Sequence, residues 1–390
     1  MQLRNMVRAF VQSDVDPQAL QFNRQKFNRQ LFRKCGELGL LGVTAQEQHG
    51  GSGMDAAAAV IVHEELAASD PAFCLSYLAH SMLFVNNLAQ NGSEAQRARF
   101  LPAACSGDAV CGMGMSEPGS GTDVLGMSTT AVAAPGDSGS GSGSGGGGYV
   151  LNGSKMWITN GTVDGRDTGD AFLVYARTGR GPRDISTFIV ERGMAGFSLG
   201  TKVEDKCGMR ASMTAELVFE DVRVPRENLV GEEGGALLSM VKNLEIERLA
   251  LGAISLGIAR RCIDIMNKYS MERVAFGKPI SSYGQVQRHI AESYAEYMAG
   301  RAYTYSIAAN LDLTTHGCGL DTDAVKLYTA TMGKNVADRA MQVLGGNGYV
   351  GDYQVERLWR DAKLMEIGGG TLEAHHKNIV RDLRRLQVLP

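Results

Sequence analysis

The sequence of 390 residues lacks the usual marks of secreted, metal-binding and nucleic-acid-binding proteins. Its seven cysteines are an odd number, widely spaced and without a CxxC pair, which argues against a disulfide framework or a zinc cluster and favours a reducing compartment. The 39 basic and 42 acidic side chains nearly balance, so no strong field attracts nucleic acid or an anionic membrane. No stretch reaches the roughly 18 uncharged apolar residues of a membrane span. We therefore expect no metal site, no nucleic-acid partner and no membrane span.

Glycine is the residue type in clear excess, at 49 of 390. Residues 136–148 are almost entirely glycine and serine, a composition typical of a flexible surface loop. This tract matches glycine-rich nucleotide fingerprints only by chance, because a strand and a turn follow it where such a fingerprint needs a helix. The remaining composition, 44% hydrophobic and 21% charged, is that of a globular chain of two to three domains.

The predicted elements change in type twice along the chain. The first part reads as helices, the second as short strands between Gly, Asn and Asp turns, and the third again as helices. The strands fall at about 149–151, 157–159, 171–175, 187–190 and 216–219, and the later helices at about 235–268, 283–312, 322–344 and 373–386. We predict an α+β protein with an N-terminal helical domain, a middle antiparallel β-barrel or sandwich that carries the Gly/Ser loop as a disordered segment, and a C-terminal helical domain. The predicted boundaries are 1–109, 110–231 and 232–390.

One acidic residue interrupts an apolar stripe on the helix predicted over 235–268. At about 100° per residue, Glu247 shares a face with Leu237, Met240, Leu244, Leu251, Ile254 and Ile258. Burial raises the pKa of a carboxyl group, and a carboxylate with a raised pKa can abstract a proton near neutral pH. On the pattern alone, an ion pair between Glu247 and an arginine at a helix contact is the favoured interpretation.

Three further segments carry groups that suit a ligand, and each also has a plain structural reading. Residues 115–123 combine glycines and hydroxyl side chains, which suits an anionic ligand or an ordinary turn-rich loop. Residues 156–161 place a tryptophan two positions before a threonine, which suits stacking on a flat ring or simple core packing. Residues 342–349 end a helix on glycines, where backbone can approach a ligand or merely cap the helix.

Together, five motifs resemble those of the flavin-dependent acyl-CoA dehydrogenases. They are MSEPGSGTD at 115–123, WITNG at 157–161, ERVAFGKPI at 272–280, GGNGY at 345–349 and RDAKLMEIGGGT at 360–371. The resemblance covers about residues 30–385 and implies a helical N-terminal domain, a middle β domain and a C-terminal four-helix bundle. It also implies a homotetramer with one FAD per subunit, an acyl-CoA substrate and electron-transferring flavoprotein as the electron acceptor.

The resemblance assigns FAD contacts motif by motif. The loop at the flavin and substrate corresponds to Met115, Ser116, Gly121 and Thr122, and the pair beside the isoalloxazine ring to Trp157 and Thr159. Residues that reach the adenine and pyrophosphate half across a subunit interface correspond to Arg273 and Phe276. Further dinucleotide contacts correspond to Gln342, Gly346, Thr371 and Glu373. Many relatives have Gln at the place of Gly284, so Gln285 or Gln287 is expected to substitute.

The resemblance also bears on the catalytic residues. Most members carry the catalytic base just before the Gly-Thr of the last motif, and this place is Gly369, which has no side chain. The isovaleryl-CoA and long-chain branches instead place a glutamate on the earlier helix, at the position of Glu247, so two independent lines indicate this residue. The backbone N–H of Gly369 remains available as an oxyanion donor beside a ribityl hydroxyl of FAD.

The resemblance to this family also implies a short branched substrate. Isovaleryl-CoA is expected to be converted to 3-methylcrotonyl-CoA in leucine catabolism. Arg248 and Thr178 are expected to contact CoA, and Gly368 and Gly369 to widen the acyl pocket. Leu75 and Ala79 resemble the pocket floor, next to Leu78 where a Gly is usual. Another short or medium acyl-CoA and an inactive flavin-binding homologue remain alternatives, whereas acyl-CoA oxidases are much longer chains. The sequence fits a mitochondrial matrix enzyme whose leader has been removed, or a bacterial cytoplasmic one.

Overall fold

The computed structural model describes residues 1–23, 26–134, 147–181, 183–315 and 317–386. Helices occupy both ends of the chain and strands occupy its middle. The helices are α1 Gln2–Phe10, α2 Ala19–Phe22, α3 Arg29–Glu37, α4 Ala56–Ala67, α5 Pro71–His80, α6 Asn87–Asn91, α7 Glu94–Ser106, α8 Ala236–Glu272, α9 Gly284–Ala308, α10 Gly319–Leu344, α11 Gly346–Tyr349, α12 Val355–Met365 and α13 Leu372–Leu386. The strands are β1 Cys111–Gly114, β2 Thr130–Ala133, β3 Tyr149–Thr159, β4 Ala171–Arg177, β5 Ile185–Glu191, β6 Phe197–Lys202, β7 Thr214–Val224, β8 Leu229–Val230, β9 Val274–Ala275 and β10 Lys278–Pro279.

Side-chain caps fix where the N-terminal helices begin. Asp55 accepts a hydrogen bond from Ala58 N at the start of α4, and Asp70 caps α5 directly before Pro71, which is suited to the first helical turn. A π-helical segment, Ser81–Asn86, joins α5 to α6. The resulting run Pro71–Asn91 is long and apolar enough to cross a membrane, yet 89% of it is buried inside the protein. It is therefore a core helix of this fold.

The middle of the chain forms one mixed sheet. In the described residues its main strand order is β6-β7-β3-β2-β4-β5-β8, with β1 paired to β4. Most neighbours are antiparallel, but β1 and β2 each pair with β4 in parallel. The predicted fold class is confirmed, with these two parallel pairings as the difference from an all-antiparallel domain. Most of the predicted Gly/Ser loop, residues 135–146, lies outside the described residues.

Helix α8 is the central element that the two helical regions share. It packs against α4 on one side and against α10 and α9 on the other, within one hydrophobic cluster. The backbones of α4 and α8 approach so closely that a Cβ built on Gly257 would lie 2.5 Å from Glu64 O. At its other end α8 meets the sheet through a small cluster of Met115, Met127, Tyr175, Ile185, Ala236 and Met240. This arrangement brings the flavin-loop motif to the first turns of α8.

Candidate active site

Glu247 lies in α8 with its side chain inside the protein. Only 7% of the residue is exposed, and its Oε2 atom has no hydrogen-bond partner among the described residues. Burial raises the pKa of this carboxyl to about 7, while the cations of Arg248 and Lys326 oppose that rise without cancelling it. The apolar residues that periodicity groups with Glu247 are all buried or half-buried. The structure thus has a dehydrated carboxyl group where the helical pattern indicates one.

The glycine turn at 368–370 lies against this carboxyl group. A Cβ atom built on Gly369 would lie 3.4 Å from Glu247 Oε1 and would overlap Leu251 Cδ1. Because the φ of Gly369 is +67°, the backbone conformation also favours glycine. Leu251 therefore fills the space that a side chain at 369 would need. At 369 the end of the Leu251 side chain occupies the position of a Cβ, whereas Gly368 leaves room for a Cβ at ordinary contact distance from Leu364.

The two residues expected to contact CoA are engaged within the protein. Arg248 Nη1 donates to Asp323 Oδ2 at 3.1 Å, and its side chain is largely buried. Thr178 lies at the end of β4, where its hydroxyl is 2.8 Å from Ser186 Oγ. Neither contact prevents an additional bond to a ligand, since a guanidinium has five donors.

The loop 115–123 is anchored by a buried ion pair. Lys155 Nζ, on β3, donates to Glu117 Oε1 at 2.8 Å and to Met115 O at 3.1 Å. Glu117 also accepts hydrogen bonds from the backbone of Ser128 and Thr129. Burial alone would raise the pKa of Glu117, but these bonds lower it to about 2; burial lowers the pKa of Lys155 to about 8. The pair fixes the loop to the strand that carries the next motif.

Trp157 is presented on the surface by an irregularity in β3. The register between β3 and β7 shifts between Lys155 and Ile158, and Trp157 has a φ of +66° with 60% of the residue exposed. A bulge of this kind re-aims a side chain out of the regular alternation of a strand. Directly after the half-buried Thr159, the turn is held by Asn160, whose buried side-chain amide donates to Ser76 O and Cys111 O. Met156 N donates to Ser116 O at 2.9 Å, so the Trp-Thr pair and the 115–123 loop occupy adjoining positions.

Other predicted FAD contacts lie far from Glu247 within one chain. At 1.5 Å per residue, the 25 residues from Glu247 to the end of α8 span about 37 Å. The β9–β10 hairpin follows, with Arg273 exposed and Phe276 97% exposed at its tip. The exposed residues of this group also include Gln287, Gln342, Gly346 and Glu373, whereas Thr371 is half-buried and caps α13. One chain therefore keeps Arg273, Phe276, Gln287, Gln342 and Gly346 away from the carboxyl group, whereas Thr371 and Glu373 directly follow the glycine turn that lies against it.

The predicted floor of the acyl pocket lies on α5. Leu75, Leu78 and Ala79 are all buried, and α5 packs against α8. Leu78 belongs to the same hydrophobic cluster as Leu75, so its extra volume relative to glycine is inside the protein and not on its surface.

Sequence reasoning missed several buried polar residues at this site. Lys155 carried a signal, since it occupies an inward position between Leu151 and Ile158 on a strand. His375 stands next to His376 in the sequence, and nothing in that pair indicates that only His375 is buried. Asp323 and Lys326 lie on α10 without any local motif, and only the fold brings them to the glycine turn.

Comparison with known proteins agrees with this architecture. Residues 1–108, 112–222 and 234–383 match the N-terminal, middle and C-terminal domain models of acyl-CoA dehydrogenase. The chain is 39% identical to mitochondrial isovaleryl-CoA dehydrogenase of Solanum tuberosum over 99% of this chain and 90% of that protein. Its structure resembles butyryl-CoA dehydrogenase from Megasphaera elsdenii, with a TM-score of 0.90, 32% identity, and coverage of 98% of this chain and 97% of the other. It also resembles an acyl-CoA dehydrogenase complexed with FAD from Bacillus anthracis, with a TM-score of 0.88, 28% identity, and coverage of 99% and 67%.

The chain belongs to the acyl-CoA dehydrogenase family. It is accordingly an FAD-dependent oxidoreductase that dehydrogenates an acyl-CoA, and the family resemblance read from the sequence is confirmed.

The described residues fit a bound flavin. Trp157 offers an exposed aromatic face beside the loop 115–123. Within this loop, a Cβ built on Gly119 or Gly121 would meet no atom within 4 Å, so the backbone there is open to a ligand. Two buried polar atoms near the glycine turn, Oε2 of Glu247 and Nε of Arg248, have no hydrogen-bond partner among the described residues.

Proposed function

We propose that this chain oxidises isovaleryl-CoA to 3-methylcrotonyl-CoA, a step of leucine catabolism, with Glu247 as the catalytic base. The observation that supports it most is the dehydrated carboxyl group of Glu247, which has one free oxygen and lies against Gly369. A carboxylate in such a place has a pKa matched to proton abstraction near neutral pH.

Glu247 removes the proton from the α-carbon of the thioester. An isolated thioester is far too weak an acid for a carboxylate, so the negative charge that develops on its carbonyl oxygen needs fixed donors. The backbone N–H of Gly369 is such a donor, because the turn that carries it is held next to Glu247 and has no side chain to shield it. Leu251 keeps water from the carboxyl group on the side where a residue at 369 would otherwise project.

Bound FAD supplies the acceptor, flavin N5, for the hydride that leaves the β-carbon. Two groups of residues would hold this cofactor. The first group comprises the 115–123 loop, Trp157 and Thr159. The second group comprises Arg273, Phe276, Gln287, Gln342, Gly346, Thr371 and Glu373. Arg273, Phe276, Gln287, Gln342 and Gly346 are exposed towards the far end of α8, about 37 Å along the helix from Glu247, so we assign them to the site of a neighbouring subunit, which supports a homotetramer. Thr371 and Glu373 follow the glycine turn beside Glu247 in the same chain.

The choice of isovaleryl-CoA rests on the acid on α8, on Gly368 and on the similarity to isovaleryl-CoA dehydrogenase. Leu75 and Ala79 line the acyl end of the pocket, and Arg248 and Thr178 contact CoA. Electron-transferring flavoprotein reoxidises the flavin, and the mitochondrial matrix is the compartment that fits the similar plant enzyme. A bacterial cytoplasmic enzyme for an unbranched short acyl-CoA is the second candidate, favoured by the fold shared with butyryl-CoA dehydrogenase.

The substrate is tested by anaerobic addition of acyl-CoA thioesters to the FAD-loaded enzyme, followed by turnover with a dye acceptor. We expect isovaleryl-CoA to bleach the flavin and to give the highest kcat/KM among isovaleryl-, 2-methylbutyryl-, butyryl- and octanoyl-CoA. A higher value for butyryl-CoA would make the second candidate correct. Absence of bleaching with every thioester would identify an inactive flavin-binding homologue.

The base is tested with Glu247→Gln. Turnover should fall by about two to four orders of magnitude, the usual effect of losing a general base, while FAD content is retained. Glu245→Gln is a matched control, because Glu245 is a buried acid on the same helix whose hydrogen bonds, within the described part of the chain, come from the backbone N–H groups of residues 317 and 318. Equal activity of the two variants would refute the assignment.

A further inference from the structure

A continuous chain of polar contacts runs behind the glycine turn. Arg248 Nη1 donates to Asp323 Oδ2 at 3.1 Å, and Asp323 Oδ1 is hydrogen-bonded to His375 Nδ1. The other ring nitrogen of His375, Nε2, lies 3.1 Å from the carbonyl oxygen of Gly370. Asp323 and His375 are completely or almost completely buried. The contacts connect α8, α10 and α13 to the turn that faces Glu247.

A second buried donor acts on the same carbonyl group. Lys326 Nζ lies 3.3 Å from Gly370 O and also donates to Met365 O at the end of α12. Backbone hydrogen bonds flank the turn, from Gly368 N to Leu364 O at 2.8 Å and from Leu372 N to Glu366 O at 3.3 Å. Between them, Gly369 and Gly370 have no side chains and φ values of +67° and +98°, so the donors that meet the Gly370 carbonyl act directly on the orientation of the turn.

We propose that Asp323 and His375 are positioning residues for the dehydrogenation: Asp323 holds Arg248 back from Glu247, and His375 fixes the Gly370 carbonyl and with it the turn that carries the Gly369 N–H. The inference deepens the proposed function and rests on it, since it treats Glu247 as the base. Neither residue touches the substrate in this account; both act through Arg248 and the glycine turn.

Asp323 acts through charge. The charged and titratable groups that face Glu247 are Arg248 on the same helix, Lys326 on α10 and the Tyr175 hydroxyl on β4. Asp323 neutralises the Arg248 guanidinium, so it limits the attraction between this cation and the Glu247 carboxylate. Arg381 and Asp382 on α13 also face this ion pair. Removal of the Asp323 charge leaves Arg248 free to stabilise ionised Glu247, which lowers the pKa of Glu247 and makes it a weaker base.

His375 acts through hydrogen-bond geometry. Asp323 Oδ1 and Gly370 O are both acceptors, so an imidazole with one proton donates to one of them and the imidazolium donates to both. Burial lowers the pKa of His375, while Asp323 opposes this shift and Lys326 and Arg248 add to it. In either protonation state the imidazole ring lies between the Asp323 carboxylate and the Gly370 carbonyl oxygen. A small apolar side chain at this position would contact neither group through a hydrogen bond.

The charge effect is tested with Asp323→Asn in the FAD-loaded enzyme. The enzyme is reduced with dithionite, and deuterium uptake from D₂O at the α-carbon of isovaleryl-CoA is followed by mass spectrometry from pH 5.5 to 9, which measures proton abstraction apart from turnover. We expect the midpoint of the wild-type profile near the pKa of Glu247, about 7. The variant midpoint should be lower by roughly one unit, the small end of the effect of an opposite charge, with about tenfold slower exchange at its plateau.

The geometric effect is tested with His375→Ala, and His376→Ala is the matched control because its side chain is the exposed neighbour. His375→Ala should lower kcat about tenfold with a much smaller change in KM, since the oxyanion donor acts in the transition state. His376→Ala should retain wild-type values. If Asp323→Asn does not fold, this pair still decides the proposal.

The results distinguish a failure of the proposed function from a failure of the positioning role. A wild-type enzyme that neither exchanges the α-proton nor bleaches with isovaleryl-CoA contradicts the proposed function itself. If the wild-type enzyme exchanges the α-proton but the midpoint of Asp323→Asn is not shifted, the positioning role of Asp323 is refuted. If His375→Ala keeps the wild-type kcat, the positioning role of His375 is refuted. In both cases the proposed function stands. A lower melting temperature without either change means that the chain of contacts is merely structural.

Discussion

Among the individual residues, Glu247 links the proposed reaction to pH. In that reaction its carboxyl group must lose a proton before it can act as a base, and burial places the pKa near 7 instead of 4.5. Activity should therefore be lost as the pH falls through about 7, well above the range where an exposed glutamate would titrate. A pH profile of kcat/KM between 5 and 9, with a pH-insensitive dye acceptor, measures this. A profile that stays flat down to pH 5 would contradict the assignment.

The same burial makes Glu247 costly for stability at alkaline pH. A carboxyl group whose pKa is raised on folding favours the folded state only while it is protonated, so its contribution is present below about 4.5 and is lost as the pH rises through about 7. Glu247→Gln should therefore raise the free energy of unfolding at pH 8 by up to about 3 kcal/mol, the linkage value for such a shift. Urea unfolding at pH 8 and at pH 4.5 checks this prediction. An increase of the same size at both pH values would indicate a packing effect.

Helical periodicity was sufficient to find Glu247, because one acid on an apolar face is visible in a single segment. Periodicity could not predict that Leu251 occupies the space beside the Cα of Gly369, because this depends on a contact between α8 and a turn far along the chain. Asp323 and His375 were not predicted for the same reason, because the residues they contact are remote in sequence and show no helical or strand periodicity with them.

For the secondary-structure elements, β3 is where local sequence rules and tertiary structure disagree most. The turn-forming Asn152 and Gly153 predict two short strands, but the chain forms one strand from Tyr149 to Thr159. Pairing with β7 continues across the glycine, and shifts in register absorb the irregularity. Cross-strand pairing outweighs turn propensity here because β3 lies between two neighbours in the sheet. Helix α12 was also not predicted, since it is short and follows directly on a glycine-rich segment.

The buried pair that ties β3 to the flavin loop gives a prediction at this level. Lys155→Met should leave the Glu117 carboxylate buried without its cation and destabilise the protein by about 3–5 kcal/mol. The 115–123 loop should loosen at the same time, so FAD content should fall. Chemical denaturation and the flavin-to-protein absorbance ratio measure the two effects.

Arg288→Ala is the control for this experiment. Arg288 and Glu292 form an exposed pair one helical turn apart, whose loss should cost less than about 0.5 kcal/mol. A Lys155→Met enzyme that keeps both its stability and its FAD would show that the ion pair does not anchor the loop.

In the molecule as a whole, a buried cluster of charges joins the first helix to the C-terminal bundle. Glu65 on α4 accepts two hydrogen bonds from Arg260 on α8, both at 2.8 Å, and is paired with Arg4 and Arg8 on α1. Glu64 next to it binds hydroxyl groups of Tyr297 and Tyr305 on α9. This cluster fastens together elements from both ends of the chain.

The cluster predicts how the fold responds to acid. Burial alone would raise the pKa of Glu65, but Arg260 and Arg8 lower it to about 2. The stability it contributes is therefore present above about 4.5 and is lost as the pH falls towards 2. Glu65→Gln should destabilise the protein at pH 7 by about 1–3 kcal/mol, because it removes the charged partner of Arg8 and Arg260 while Arg4 and Arg260 keep Glu64, and by clearly less near pH 3. Urea titrations at both pH values test this, and a pH-independent loss would mean that packing and not charge is responsible.

The order of helical and β regions could be predicted for the whole molecule because composition and periodicity change over long segments. What could not be predicted is that the two helical regions share one core through α8, because no local pattern records which distant helices touch. The close approach at Gly257 becomes meaningful only when α4 is seen against it.

The overlap between Leu251 and any side chain at 369 has a consequence for substitutions at this turn. A side chain at 369 would require Leu251 to adopt another rotamer and would hold the backbone in a strained left-handed conformation. Leu251→Ala should therefore make a substitution such as Gly369→Ala less destabilising, as measured by urea unfolding, than it is in the wild-type background.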